Sequence, residues 1–446
     1  MHTYLRTAFS LLSGAACLTA CGTNTTTEKT SASTVSAAAL LTPGPWRGEL
    51  ATQGQQIPFL FEVKTEASKP VVYLINKGLN GEERLRCDAI QAAGDSVTIR
   101  LHVFDAALVV RADGQGKLRG TWVKYDTKEP YRVPLVATAG EQPLQFDADG
   151  TAADVLPVMH QDLLKGAPYK TTFFYKDGGS YPAVGIFKYN QGASQDALTG
   201  TFLTTTGDYR YLAGSLKTVN DTLRLKLSTF DGSHAFLFTG AYVGNQTLRG
   251  NYYSGLGGHE TWTATYDPAA KLPDADTLTY LRKGESRLNF KFPSVVPGAS
   301  ISPTDPKYRG KVVVLQILGS WCPNCMDETA YLAPWYAKNR SRGVEVIGLG
   351  YERSPDYAQA AARLRNLKQR YNIGYDLAVA GTSNKDSVAK SLPQLAKFLG
   401  FPTTIFLDKK GVVRSIHTGF SGPGTGKYYA EELAHFNNTV DKLLRE

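Results

Sequence analysis

Two spacings of hydrophobic residues divide the chain. From Trp46 to about residue 268, short stretches alternate between apolar and polar residues and are separated by Gly, Asp and Asn. A period of two is typical of strands with one buried face, and close punctuation by turn residues indicates an antiparallel meander. Beyond residue 285, apolar runs alternate with helical patterns, which predicts an α/β domain.

The alternating region contains a repeat. Its landmarks recur in one order, 124 to 130 residues apart: Ile57–Leu60 with Tyr181–Val184, Asp95–Asp105 with Asp221–Asp231, and Leu118–Trp122 with Leu248–Tyr252. The repeat predicts two tandem all-β modules, residues 45–140 and 165–268, each an antiparallel barrel or sandwich of seven or eight strands. Polar aromatics near Tyr209 and Tyr252, followed by Glu260, hint at a binding surface, although strand packing is the simpler explanation.

The α/β domain carries the candidate chemistry directly after an apolar run. Val312–Leu318 has the length and composition of a buried strand, and Pro323 suits the first position of a following helix because it has no N–H to leave unpaired. Cys322 would then cap the helix, where unsatisfied N–H groups favour a thiolate. In a Cys-X-X-Cys motif the second thiol can resolve a mixed disulfide on the first, so Cys322 is the predicted nucleophile and Cys325 its disulfide partner.

A zinc site and a purely structural disulfide are the alternatives for this motif. A tetrahedral zinc site needs two further ligands at suitable spacing, and the domain offers only the scattered His417 and His435. We therefore expect neither a metal nor another cofactor.

The segment Trp321–Cys325 after a buried strand, together with Phe401–Thr404 before another, resembles the thioredoxin fold of the TlpA/ResA type. The resemblance covers residues 285–446. It implies that Pro402 is cis and faces the cysteine pair, and that Trp321 and the backbone of Phe401 contact an incoming substrate. An ordinary proline at the start of a strand is the alternative.

The resemblance also implies that Glu328 tunes the thiols and handles protons. Helical spacing places Glu328 on the same face as Cys325. A plain alternative is that its carboxylate only complements the positive end of the helix. Simple thioredoxins carry a buried acid on the preceding strand where this chain has Gln316, which cannot take up a proton and so favours the first role for Glu328.

The N-terminus has the pattern of an export signal. Residues 1–20 are weakly apolar with small residues at the end, and Leu18–Cys21 resembles a bacterial lipobox, which implies a lipid on Cys21. An ordinary secretory signal with a chance cysteine is the alternative. Residues 21–44, rich in Ser, Thr and Ala, are the predicted tether, and the protein is expected in the cell envelope, anchored facing the periplasm of a Gram-negative-type bacterium. Cys87 remains unpaired and is expected to be buried.

The formal charge of +9 comes mostly from the C-terminal domain. Four basic residues lie on one predicted helix: Arg363, Arg365, Lys368 and Arg370. They could steer acidic partners or anionic lipid, but such a surplus is more often a solvated face. No motif indicates nucleic-acid binding.

These features favour an exported, lipid-anchored thiol-disulfide oxidoreductase that reduces disulfides of periplasmic proteins and receives electrons from a membrane thiol carrier. The rival is a lipoprotein whose β-modules bind a peptide, glycan or lipid, with the redox domain as an accessory. An oxidase or isomerase would differ only in redox poise, which depends on the relative stability of thiolate and disulfide.

Overall fold

The computed structural model describes residues 36–144, 151–152, 165–190 and 197–446. The predicted signal segment, Cys21 and most of the tether lie outside these residues.

The first sheet contains β1 Gly44–Thr52, β2 Gln55–Glu66, β3 Lys69–Gly78, β4 Gly81–Cys87, β5 Ile90–Ala93, β6 Ser96–Arg100, β7 Ala106–Ala112, β8 Lys117–Lys124 and β9 Tyr131–Ala139. The second contains β10 Thr151–Ala152, β11 Lys165–Phe174, β12 Ser180–Tyr189, β13 Leu198–Thr204, β14 Gly207–Asp208, β15 Leu212–Val219, β16 Thr222–Phe230, β17 Ala235–Tyr242, β18 Thr247–Ser254 and β19 Gly258–Tyr266.

The first sheet is an antiparallel meander in the order β4-β3-β2-β1-β9-β8-β7-β6-β5, with β4 and β5 at its two edges. Alternate residues of its strands enter a core that contains Trp46, Phe59 and Trp122. The short helix α1, Ala37–Leu40, precedes β1, and Leu40 and Leu41 are buried in the same core. The last part of the segment predicted to be a tether, from residue 36 to residue 44, therefore contributes a helix and buried side chains to this core.

The second sheet closes on itself. Its order runs β15-β16-β17-β18-β19-β11-β12-β13, and β13 pairs with β15 to complete an antiparallel ring. Large aromatic side chains fill the interior, among them Phe173, Phe202, Phe238 and Trp262. The landmarks of the sequence repeat fall on corresponding strands of the two sheets: β2 and β12, β6 and β16, and β8 and β18.

The C-terminal part contains the remaining elements: β20 Tyr280–Leu281, β21 Phe292–Pro293, β22 Ser300–Ile301, β23 Val312–Leu318, α2 Pro323–Asn339, β24 Val344–Glu352, α3 Tyr357–Arg370, β25 Asp376–Thr382, α4 Lys385–Ser391, β26 Leu395–Lys397, β27 Thr403–Leu407, β28 Val413–Thr418 and α5 Lys427–Arg445. Its main sheet has the order β25-β24-β23-β27-β28. β23, β24 and β25 are parallel, whereas β27 and β28 are antiparallel to their neighbours. A short turn joins β27 to β28, which suits an antiparallel pair because parallel neighbours need a longer crossover connection.

Two basic residues of α3 form ion pairs with the first sheet. Arg363 forms an ion pair with Asp105 at 2.6 Å, and Arg370 pairs with Asp88 at 2.7 Å, so α3 is bound to the first sheet. The sequence suggested that the basic residues of this helix steer external partners or form a solvated face. For Arg363 and Arg370 both suggestions are wrong, because these side chains pair with acids of the same chain. Among the described residues, no helix combines the length and apolarity needed to cross a bilayer.

Candidate active site

The cysteine motif lies at the junction of β23 and α2. Every residue of β23 is buried, and the chain turns at Gly319 before the helix begins at Pro323. Cys322 is the N-cap residue in an extended conformation, and its Sγ accepts a hydrogen bond from the backbone N–H of Cys325 at 3.3 Å. The Cys322 sulfur thus receives a helix N–H and lies at the positive end of the helix dipole.

The two thiols differ in access. Cys322 is 7% exposed and Cys325 is fully buried. Both are free thiols in this structure. Burial, followed by the hydrogen bond and charge of Cys322, holds the pKa of Cys325 well above its ordinary value. Cys87, also fully buried as expected, has its pKa raised to about 12 by burial and lies in the first sheet.

Glu328 is buried beneath the cysteine pair. Its carboxylate accepts hydrogen bonds from Gln316 Nε2 at 2.8 Å and from the Thr404 hydroxyl. Burial raises the pKa of Glu328 to about 7, because desolvation outweighs the hydrogen bonds from Thr404 and Gln316. Gln316 in turn accepts a hydrogen bond from Tyr375 at 3.0 Å. Glu328, the group predicted to accept protons in this site, is thus held in place by Gln316, the strand residue that cannot itself titrate.

The loop before β27 lies against the motif. The Phe401–Pro402 peptide bond is cis. The Phe401 ring meets Trp321 edge-on, with centroids 5.3 Å apart. Trp321 is fixed from the other side by its indole N–H, which donates to Tyr351 O at 2.9 Å. The residues predicted to bind substrate are therefore brought together beside Cys322.

A buried carboxylate that sequence reasoning missed supports the turn. Glu352, at the end of β24, accepts hydrogen bonds from Ser320 N at 2.9 Å and from Ser320 Oγ at 2.7 Å. Burial raises the pKa of Glu352 against the opposing effect of these hydrogen bonds. The motif gives no local signal for this partner, since Glu352 lies one strand away.

The barrel formed by the second sheet covers the motif with the turn between β13 and β14. Gly207 is so close to the motif that a Cβ on it would lie 2.0 Å from Asn324 Nδ2. A Cβ on Gly400 would lie 2.7 Å from the Thr206 methyl group, and one on Gly419 3.1 Å from Thr205 O. The hairpin turn thus contacts both the cysteine motif and the loop that carries Pro402.

A cavity of about 460 Å³ remains between the barrel and the motif. The barrel contributes Tyr181, Tyr209, Tyr252 and Glu260, and the C-terminal part contributes Cys322. Tyr181 donates a hydrogen bond to Glu260 at 2.8 Å and lies 2.7 Å, oxygen to oxygen, from Tyr209. The aromatic cluster noted in the sequence therefore both packs the barrel and lines a space shared with the candidate nucleophile.

A buried charge cluster joins the three parts of the molecule. The Arg210 guanidinium pairs with Glu83 of the first sheet and Asp327 of α2, and it donates to Pro323 O at 3.0 Å. Burial raises the pKa of Asp327 well above its ordinary value, although Arg210 opposes this. Ser233 adds a hydrogen bond to the carbonyl of the residue before Cys322, at 3.0 Å. No sequence spacing connects these residues, so only the fold identifies them.

Comparison with known proteins gives matches in the C-terminal part. The redoxin family model matches residues 282–432. Thiol-disulfide oxidoreductase ResA of Bacillus thuringiensis subsp. konkukian is 26% identical over 106 residues, which cover 24% of this chain and 54% of that protein. Thiol:disulfide interchange protein DsbE of Escherichia coli (strain K12) is 26% identical over 176 residues, or 37% of this chain and 80% of that protein. The chain spans about half the length of the ResA proteins it matches.

A thiol:disulfide interchange protein from Chlorobium tepidum TLS is 18% identical, with a TM-score of 0.28 and coverage of 36% of this chain and 98% of that chain.

Proposed function

We propose that the protein reduces disulfides of exported proteins, because residues 282–432 match the redoxin family model and the same part of the chain is similar to the thiol-disulfide oxidoreductases ResA and DsbE. The observation that carries the proposal is the arrangement of the two thiols. Cys322 caps α2 with its sulfur on a helix N–H, and Cys325 lies fully buried beneath it. Cys322 is placed to attack a partner disulfide. Cys325 is shielded until the Cys322 sulfur is part of a mixed disulfide, which Cys325 can then attack.

The exchange then proceeds in two steps. The Cys322 thiolate attacks a substrate disulfide, forming a mixed disulfide and releasing one substrate thiolate, which takes up a proton. The Cys325 thiolate next attacks the Cys322 sulfur, forming the Cys322–Cys325 disulfide and releasing the second substrate thiol. Two electrons pass to the substrate, and a membrane thiol carrier returns them by reversing both steps.

Glu328 is the proposed proton acceptor for the second step. Cys325 must lose a proton inside the protein, where burial holds its pKa high. A carboxylate with a pKa of about 7, one helical turn away, can take that proton at neutral pH and later release it. The alternative is that Glu328 only complements the positive end of the helix dipole, a role that a solvent-exposed carboxylate would fill. Glu328 is instead 4% exposed and hydrogen-bonded on both oxygens.

The barrel restricts which disulfides reach Cys322. The turn between β13 and β14 lies against Asn324, and the remaining cavity of about 460 Å³ holds a small disulfide or an extended segment rather than a folded surface. The rival function, a ligand-binding barrel, is supported by the tyrosines and Glu260 in this cavity. Since Cys322 lines the same space, a ligand bound there is placed beside the thiol and is the redox substrate.

Export and lipid anchoring complete the proposal. They rest on the lipobox-like Leu18–Cys21 and on the Ser/Thr-rich residues that follow it. Cys21 would carry the lipid, and the tether would hold the folded part at the membrane surface, facing the periplasm.

A redox titration of the full chain in glutathione buffers tests the direction of the reaction. A reductase is expected to have a potential well below that of the glutathione pool in an oxidising compartment, about −180 to −210 mV in the endoplasmic reticulum, for example. A value near −120 mV would identify an oxidant and reject the reductase. The Cys322→Ala variant is the control, because it has no dithiol to titrate.

A further inference from the structure

Two histidines that are scattered in the sequence meet in the fold. His417 on β28 and His435 on α5 have ring centroids 4.8 Å apart. Asp276, in the one-turn 3-10 helix Ala275–Thr277 before β20, places Oδ1 2.7 Å from His417 Nδ1 and 3.3 Å from His435 Nε2. Spacing along the chain does not predict this cluster, because the segment before β20 folds back over β28 to bring Asp276 to the two histidines.

The donor atoms converge on one point. One ligand atom from each of Asp276, His417 and His435 lies within 4.8 Å of the other two. His435 Nε2 is buried as an atom and has no hydrogen-bond partner among the described residues, although its imidazole ring is 38% exposed. This ring nitrogen faces a carboxylate oxygen 3.3 Å away and lies beside a second imidazole, which is a position that a metal ligand can take.

A further carboxylate supports this arrangement from behind. Glu432 Oε1 lies 2.8 Å from His417 Nε2, the ring nitrogen on the side away from Asp276. Glu432 Oε2 accepts a hydrogen bond from Ser421 N at 3.3 Å, which helps to fix the carboxylate. Metal-binding histidines commonly use their second nitrogen in this way, because the outer carboxylate orients the ring and makes it a better donor.

We propose that Asp276, His417 and His435 form a Zn²⁺ site, with Glu432 orienting His417. Two imidazole nitrogens and one carboxylate oxygen are a donor set that zinc prefers, with water in the fourth position. Zinc–ligand bonds of about 2.1 Å require donor atoms about 3.4 Å apart in a tetrahedron. The 2.7 Å pair of Asp276 and His417 would therefore open by about 0.7 Å, the 3.3 Å pair of Asp276 and His435 already fits, and a pair at the 4.8 Å limit would close by about 1.4 Å. The ion would tie the segment before the redox domain to a strand and a helix within it.

Zinc binding to the full chain tests this proposal. Since Cys322 and Cys325 also bind zinc, all proteins carry Cys322→Ser and Cys325→Ser and have no histidine tag. Chelator-treated protein is dialysed against Zn²⁺, and bound metal is measured by mass spectrometry and calorimetry. We expect one ion per chain, a higher melting temperature with zinc, and loss of both effects in His435→Gln.

The control is His259→Gln, which removes a histidine hydrogen-bonded to Asn251 in the barrel of the second sheet and should leave zinc binding unchanged. Glu432→Gln should weaken zinc affinity about 10- to 100-fold, as expected for an outer carboxylate. His435→Gln changes a partly exposed side chain, so its circular dichroism and zinc-free melting temperature should match those of the parent. Equal zinc binding by the parent and His435→Gln, or none by either, would mean that these residues form only an ion-pair cluster.

Discussion

Replacement of Glu328 by Gln tests the proton chemistry of the site. The pKa of this carboxyl is raised from 4.5 to about 7, chiefly by burial. A shift of about 2.5 units corresponds to roughly 3 kcal/mol between the charged and neutral forms. Because the folded-state pKa lies above the unfolded one, this stabilising contribution is fully present below about pH 4.5 and is lost as the pH rises through about 7.

Glutamine is isosteric with glutamate and does not titrate. The free energy of unfolding of the wild type, relative to Glu328→Gln, should therefore fall by about 3 kcal/mol between pH 4.5 and pH 7.5 and change little above that. Denaturant titrations of both reduced proteins at several pH values measure this difference. Its value at any single pH also contains the altered hydrogen bonds to Gln316 and Thr404, so the pH dependence is the informative quantity.

The same variant should slow resolution of the mixed disulfide. A general base typically contributes 10²- to 10⁴-fold, so single-turnover release of a labelled thiol should slow by at least about 100-fold at pH 7.5. The wild-type rate should rise with a midpoint near pH 7, and this rise should disappear in Glu328→Gln. If both proteins show the same pH profile and the same rate, Glu328 is not the proton acceptor.

Three further predictions concern the barrel, the charge cluster and the anchor. Gly207→Ala should separate the hairpin turn from Asn324 and speed iodoacetamide labelling of Cys322, whereas Gly44→Ala should not, since Gly44 has a similar φ (125° against 139°) but no atom within 4 Å of the added Cβ. Arg210→Met should lower the free energy of unfolding by about 3–5 kcal/mol by leaving Asp327 and Glu83 buried without their cation, as measured by denaturant titration; a loss below 1 kcal/mol would contradict this. Cys21→Ser should move the protein from the membrane to the soluble envelope fraction, and continued membrane association would reveal another anchor.

The local geometry of the motif could be predicted from sequence because it depends on the order of neighbouring residues. A buried strand, a turn and Pro323 are enough to place Cys322 at a helix start, and Glu328 follows at helical spacing. What the sequence could not supply were contacts between distant segments. Arg210 lies 117 residues before Asp327, and its partner is identified only when the barrel packs on α2.

The clearest errors have the same cause. The basic residues of α3 have the composition of a solvated or steering face, but Arg363 and Arg370 meet acids of the first sheet. His417 and His435 are scattered in the sequence as possible zinc ligands for the cysteine motif, and spacing along the chain does not reveal that Asp276 folds back over them. Strand patterns establish which residues are buried, but not which buried surfaces of different sheets meet.

The central claim is that Cys322 attacks a substrate disulfide and Cys325 releases it, and trapping with Cys325→Ala in the native envelope tests it most directly. Attack needs only Cys322, so this variant should retain covalent partners on non-reducing gels, and reduction should release them as exported cysteine-containing proteins and the membrane electron donor. Cys322→Ala, which keeps the buried thiol but lacks the nucleophile, should trap none. Absence of mixed disulfides in Cys325→Ala, or equal trapping by Cys322→Ala, would contradict the proposed roles of the two thiols.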